Sequence, residues 1–173
     1  MKILLPVDGS EISLEAVRFV VRMAGDGLNT SVVLANVQEP STLYELVVAH
    51  DPQVLEQVSA SAGAHTLQAA QALLDEAKIA YECEVASGDP AHTLVEIVER
   101  FGCDLVVMGA SGTSSLRSAL LGSVSNEVLH AAGVPVIIVK SGGEPDSALG
   151  DEAEYESGDN QGVTPGDNSR TSQ

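Results

Sequence analysis

The sequence predicts an α/β fold, a parallel sheet with helices packed on both faces. Three observations carry this. Short apolar runs of strand length alternate along the chain with segments whose apolar residues recur at helical spacing, the order that builds parallel sheets. The first of these runs, 3–7, and the fourth, 104–108, are almost uninterruptedly apolar, as strands covered on both faces are. A glycine-rich stretch then follows the fourth run and leads into a helix start. Strand, glycine loop and helix start in that order form a cradle for phosphate in such folds, because the first free N–H groups of the helix point at the anion.

Each element can be justified in turn. Ile3–Val7 is the first strand, with Pro6 near its end. Ser10 is placed to cap a helix over 11–24, on which Leu14, Val17, Val21 and Ala24 form the apolar face, and the segment Gly25-Asp26-Gly27 ends it. Ser31–Val37 is the second strand. A connection over 38–52 contains Pro40 and Pro52, with a helical turn around 43–48. An alanine-rich helix then runs from about 53 to 78, with Val54, Val58, Ala62, Ala69, Leu73 and Ala77 on one face. In the third strand, 80–86, apolar residues alternate with Glu82 and Glu84, the pattern of an edge strand with one wet face. Asp89 caps the next helix with Pro90 at its first position, and Gly102 stops it after Phe101. The fourth strand precedes the glycine loop, a helix over 124–132 follows it, and 134–139 is the fifth strand. Pro135 cannot donate to a ladder, so this strand either lies at an edge or begins pairing after the proline.

Composition bounds the function. The 173 residues suit one domain plus a tail. With 3% aromatics and no Trp, the core has to be built from Val, Leu, Ile and Ala. No apolar segment has the length of a membrane span, and the N-terminus reads as a strand, not a signal peptide. The two cysteines, Cys83 and Cys103, have no metal-ligand spacing and are expected to be buried thiols in a reducing cytoplasm. None of the four histidines pairs with another at metal-ligand spacing, so they read as surface or boundary residues. A net charge of −17 argues against nucleic acid or an anionic membrane as partner. Residues 141–173 hold eight acids and one base without apolar periodicity and read as a disordered acidic tail, leaving 1–140 as the folded domain.

The chemistry concentrates at the carboxyl ends of the first and fourth strands, where open doubly wound sheets bind ligands if the strand order reverses between them. The loop reads Gly109-x2-Gly112-x9-Gly122-Ser123. No Lys follows its last glycine, so it is not a Walker A element, and neither GxGxxG nor GxSxG occurs. On spacing alone, an anion cradle and a surface loop with turn-permitting glycines stand level.

This spacing, with Asp8 ending the first strand, resembles the universal stress protein family. The likeness extends over 1–140, including Gly88-Asp89-Pro90 and the ending Val134-Pro-Val-Ile-Ile-Val-Lys140. It implies an adenine nucleotide α-hydrolase-like fold, an open five-stranded parallel sheet in the order 3-2-1-4-5. It also implies a homodimer, for which the uncharged strand 134–139 offers an edge. In the ATP-binding branch of that family the matching positions hold the nucleotide. These are Pro6, Val7 and Asp8 after strand one, Val37 after strand two, and Met108 and Gly109 at the end of strand four. Gly112, Gly122, Ser123, Val124 and Ser125 match in the loop and helix start.

Each position has a second reading. Asp8 can accept from ribose or the adenine amino group, or hold Mg²⁺ through water, but a carboxylate there also suits the start of the first helix. Ser123 and Ser125 can donate to phosphate or cap a helix. Val37 and Met108 suit an adenine slot or plain core. Arg117, the only base in the loop and fewer than the family pattern has, can reach phosphate or serve as a surface charge. Three functions follow: an ATP-binding regulatory protein of the stress response, with Mg²⁺ accompanying ATP and at most slow hydrolysis; a homodimeric interaction protein that binds no nucleotide; and a slow Mg²⁺-dependent nucleotide hydrolase.

Overall fold

The computed structural model describes residues 1–38, 52–111 and 121–140, with side chains from 61 onward in the second segment. The turn expected at 43–48, Gly112, Arg117, His50 and the tail 141–173 lie outside the described residues. In chain order the elements are β1 (Lys2–Pro6), α1 (Glu11–Gly25), β2 (Ser31–Gln38), α2 (Pro52–Glu76), β3 (Tyr81–Ser87), α3 (Pro90–Phe101), β4 (Leu105–Gly109), α4 (Ser123–Ala131) and β5 (Val136–Val139). They form one parallel five-stranded sheet in the order β3-β2-β1-β4-β5, as expected.

The two-residue period of a strand sorts the core into two layers. Ile3, Leu5 and Val7 of the first strand segment pack with Val32, Leu34 and Val107 under α1 and α2. Leu4, Val33, Ala35, Val106 and Met108 pack on the other face under α3 and α4. Right-handed crossovers give this division. The chain winds from β1 out to β3 with α1 and α2 on one side, then crosses back to β4 and β5 with α3 and α4 on the other. Each fully buried Leu or Ile of these layers contributes about 1.5–3 kcal/mol. The seam between the halves is short, since β1 pairs with β4 at Ile3–Leu105 and Leu4–Val106, whereas β1 follows β2 from Lys2–Ser31 to Pro6–Ala35.

The helix starts are as read. Ser10 Oγ accepts from Ser13 N–H at 3.3 Å, and Asp89 Oδ1 accepts from His92 N–H at 2.9 Å ahead of Pro90. Gly102 ends α3 in the left-handed region, with φ at 61°. β5 occupies an edge, and its register with β4 begins at Val106–Val136, after Pro135, whose carbonyl still accepts from Val106 N–H at 3.0 Å.

Three expectations need correction. The buried face of α1 is centred on Ser13, Ala16, Val17 and Val20, with Leu14, Val21 and Ala24 at its margin. On α2 the buried positions among those described are Gly63, Leu67, Ala70 and Leu74, while Ala62 and Ala69 are exposed. In a helix so rich in alanine several stripes look equally apolar, and bulk at Leu67 and Leu74 decides which one turns inward. Gly63 completes that stripe because nothing larger fits. A Cβ there would lie 2.5 Å from Val85 Cγ1 and 2.9 Å from Asn36 Oδ1.

The third correction concerns the thiols. Cys103 is buried, and burial pushes its thiol above the usual range. Cys83 is exposed, because β3 is an edge strand and Gln71, whose amide donates to the sulfur at 3.1 Å, covers it only in part. The two carboxylates of β3 pair with cations, Glu82 with Lys2 and Glu84 with Arg100, and Glu84 is largely covered as a result.

Candidate functional site

A cavity of about 370 Å³ opens at the carboxyl ends of β1, β2 and β4, where the strand order reverses. It receives Pro6, Val7 and Asp8 from the end of β1 and Val37 from β2. Met108 and Gly109 enter from β4, and Gly122, Ser123, Val124 and Ser125 from the start of α4. Every sequence-derived site residue that is described therefore lines this one space. Sequence reasoning missed other parts of the wall: Ser13 of α1, Asn36 of β2, Leu94 of α3 and Ser111 after β4. The helix-start signals at Ser10 and Asp89-Pro90 were the available clue, since three helices begin at the cavity rim.

Those three starts differ. α1 and α3 are closed by side-chain caps, Ser10 and Asp89. α4 begins at Gly122, which has no side chain to cap it. The first bond of this helix runs from Asn126 N–H to Gly122 O at 2.9 Å, so the N–H groups of Ser123, Val124 and Ser125 are first-turn donors left for another acceptor. Such an end carries roughly half a positive elementary charge. The described lining contains no Lys or Arg, and its single charged side chain is Asp8. Attraction for an anion thus resides in backbone N–H groups.

Two polar side chains of this lining, Ser125 and Asp8, are already engaged. Ser125, buried, donates its hydroxyl to Gly109 O at 2.8 Å. Asp8 Oδ1 accepts from Ser10 N–H at 3.0 Å and from the Ser10 hydroxyl, so the carboxylate steadies the capping residue of α1 while standing exposed at the cavity mouth. Among the apolar positions Met108 is buried and Val37 half-buried, with the latter packed at the margin of the α3–α4 layer.

The glycine spacing has a packing cause beside any ligand. A Cβ on Gly109 would sit 3.1 Å from three atoms of Ile12, so α1 could not approach β4 as closely. A Cβ on Gly122 would lie 3.3 Å from Ser111 Cα, where Gly122 N–H donates to Ala110 O at 2.7 Å and ties the two ends of the loop together. Among the described residues, no group of three or more His, Cys, Asp or Glu is placed to hold a metal ion.

Fold and cavity together define a doubly wound α/β protein with a crevice at its topological switch point, one wall apolar and one an uncapped helix end. The family model for the universal stress protein family matches residues 1–140. Universal stress protein MJ0531 of Methanocaldococcus jannaschii is 31% identical over 139 residues, covering 80% of this chain and 81% of that protein. Among solved structures, that of protein MJ0577 of the same organism superposes with a TM-score of 0.70 at 26% identity, covering 80% of this chain and 94% of the other. A universal stress protein in complex with cAMP superposes at 0.56 with 26% identity, covering 80% and 95%. The chain belongs to the universal stress protein family.

Proposed function

We propose that this protein binds ATP or a related adenine nucleotide in the cavity between β1 and β4 and acts as a regulatory protein of the stress response. The observation that carries the reading is the uncapped start of α4, which turns the first-turn N–H groups of Ser123–Ser125 toward a cavity also lined by Val37 and Met108. Such an end suits phosphate, and a flat apolar slot suits a base. A similar protein in complex with cAMP supports the class of ligand. Pro6, Val7, Asp8 and Val37 would hold the nucleoside, and Gly109, Gly112 and Gly122–Ser125 the phosphates. Asp8 fits Mg²⁺ in the one way a lone carboxylate does, through water beside the nucleotide's own phosphates.

Hydrolysis is expected to be slow at most. The loop has no Walker lysine, and the described lining offers neither a histidine nor a second carboxylate as general base. The reading also places the protein in the cytoplasm, with neither nucleic acid nor membrane as partner. The charge of −17 disfavours polyanionic partners such as nucleic acid or an anionic membrane surface. Among the described residues no helix is long and apolar enough to cross a membrane. The test is to denature the purified protein, look for released nucleotide, and then titrate Mg-ATP by calorimetry. Released adenylate or saturable binding is the expected result, and neither at millimolar ATP would overturn the proposal.

The same proposal includes a homodimer through 134–139. β5 is an edge whose four residues are all half-buried and uncharged, a surface that a second copy would cover. Ile137→Lys is expected to give monomer or aggregate in gel filtration. A stable dimer of that variant would count against pairing through this edge.

A further inference from the structure

The buried polar residues among those described are Ser13, Asn36 and Ser125, and all three line the cavity. Each donates to a main-chain carbonyl at its rim. Ser13 Oγ donates to Ser10 O at 2.8 Å, Asn36 Nδ2 to Val7 O at 2.7 Å, and Ser125 Oγ to Gly109 O at 2.8 Å. The first is an ordinary bond within a helix start. The other two reach across the fold, from β2 to the end of β1 and from α4 to the end of β4. They grip the two strand ends that flank the switch point.

Both grips are reinforced. Val7 N–H donates to Ala35 O at 2.8 Å, so β2 holds Val7 by both its N–H and its carbonyl. The Asn36 amide is fixed in turn, since its oxygen accepts from Gln38 Nε2 and lies against Gly63. On the other side Ala110 N–H donates to Val139 O at 2.8 Å, so the Gly109–Ala110 peptide plane is held by its N–H and its carbonyl together. A carbonyl whose lone pair is occupied by a buried donor repels a neighbouring anion less and is not free to rotate toward it.

We infer that Asn36 and Ser125 are the positioning residues of the site, each fixing one half of the ligand: Asn36 the nucleoside half through the Val7–Asp8 corner, Ser125 the phosphate half through the Gly109 corner. This rests on the nucleotide reading above. The roles follow from the corner each one holds. Asn36 acts on the wall that carries Asp8 and Val37. Ser125 ties the uncapped start of α4 to β4 and so sets where its N–H groups point. The hydroxyl of Ser125, spent on Gly109, serves the phosphate indirectly.

The test compares adenosine and ATP as ligands for the full chain by calorimetry, well below the melting temperature. Asn36→Leu is expected to weaken both ligands about tenfold or more, because both share the nucleoside. Ser125→Ala is expected to weaken ATP about tenfold while leaving adenosine within about twofold. Asn36→His and Ser125→Thr, which keep a donor, should recover most of the loss and also serve if the first variants fold poorly. Ligand-free hydrogen exchange provides an independent reading, with the Val7 amide accelerated by Asn36→Leu and the Ala110 amide by Ser125→Ala. Equal losses for both ligands in the Ser125 variant, or parental affinities in both variants, would overturn the inference while leaving nucleotide binding intact. A parental protein that binds neither ligand would instead overturn the nucleotide reading, and unchanged amide exchange would then remove the pinning as well.

Discussion

Ser123→Asp is expected to weaken nucleotide binding about thirtyfold or more while leaving the fold as stable as the parent or slightly more so. The substitution places a carboxylate in the first turn of α4, where no side chain now caps the helix. Negative charge there is favourable to the helix by about 0.3–1 kcal/mol. The same charge stands where a phosphate would accept from the first-turn N–H groups. Two unit charges about 4 Å apart at the effective dielectric of a protein surface repel by about 4 kcal/mol, and the described lining has no Lys or Arg to offset this. Even after screening, an affinity loss of about thirtyfold or more remains. Stability and binding thus move in opposite directions, which separates the effect from unfolding. Calorimetric titration of ATP and a thermal melt measure the two. A variant that binds ATP within about threefold of the parent would remove the anion role of this helix end.

Gly63→Val is expected to lower the unfolding free energy by about 3 kcal/mol, the upper part of the range for overpacking a close-packed core. A Cβ alone would meet Val85 Cγ1 at 2.5 Å and Asn36 Oδ1 at 2.9 Å, and valine adds two methyl groups beyond it. The gain of up to about 1 kcal/mol from removing glycine from a helix interior cannot offset that. Ala62→Val, one residue away on the exposed side of the same helix, is the control and should cost less than about 1 kcal/mol. Urea denaturation of both variants checks the pair. Equal losses at 62 and 63 would mean that α2 presents a different face to the sheet.

The fold was legible because the residues that determine it act locally. Short uninterrupted apolar runs bounded by turn residues, at Ile3–Val7 and Leu105–Met108, suit strands covered twice, and Ser10, Asp89-Pro90 and Gly102 each fix a helix end through one bond or one dihedral angle. The strand order came from the family resemblance, since periodicity alone does not say which strands are neighbours. Helix faces were harder. On α2, Ala62 and Gly63 look alike in hydropathy, and only the approach of Val85 and Asn36 separates them. Cys83 is exposed for a related reason, because an apolar position on an edge strand is covered only as far as the neighbouring helix reaches.

The site was legible where backbone geometry is written as glycine or as a strand end, at Asp8, Gly109 and Gly122–Ser123. It was not legible at Asn36. A single amide in the apolar run Val32–Val37 gives no sign of the carbonyl it will meet, since Val7 lies on another strand and arrives only through the β1–β2 register.

The short pairing of β1 with β4 gives the cavity a mechanical meaning. Ile3–Leu105 and Leu4–Val106 join the two counter-wound halves of the sheet, and beyond them the strands diverge around the opening. An occupant of the cavity would touch Pro6–Asp8 on one bank and Met108 with the α4 start on the other, and so would link the two counter-wound halves of the sheet where their own pairing has ended, on the same side of the seam where Ile12 of α1 already lies against Gly109 of β4.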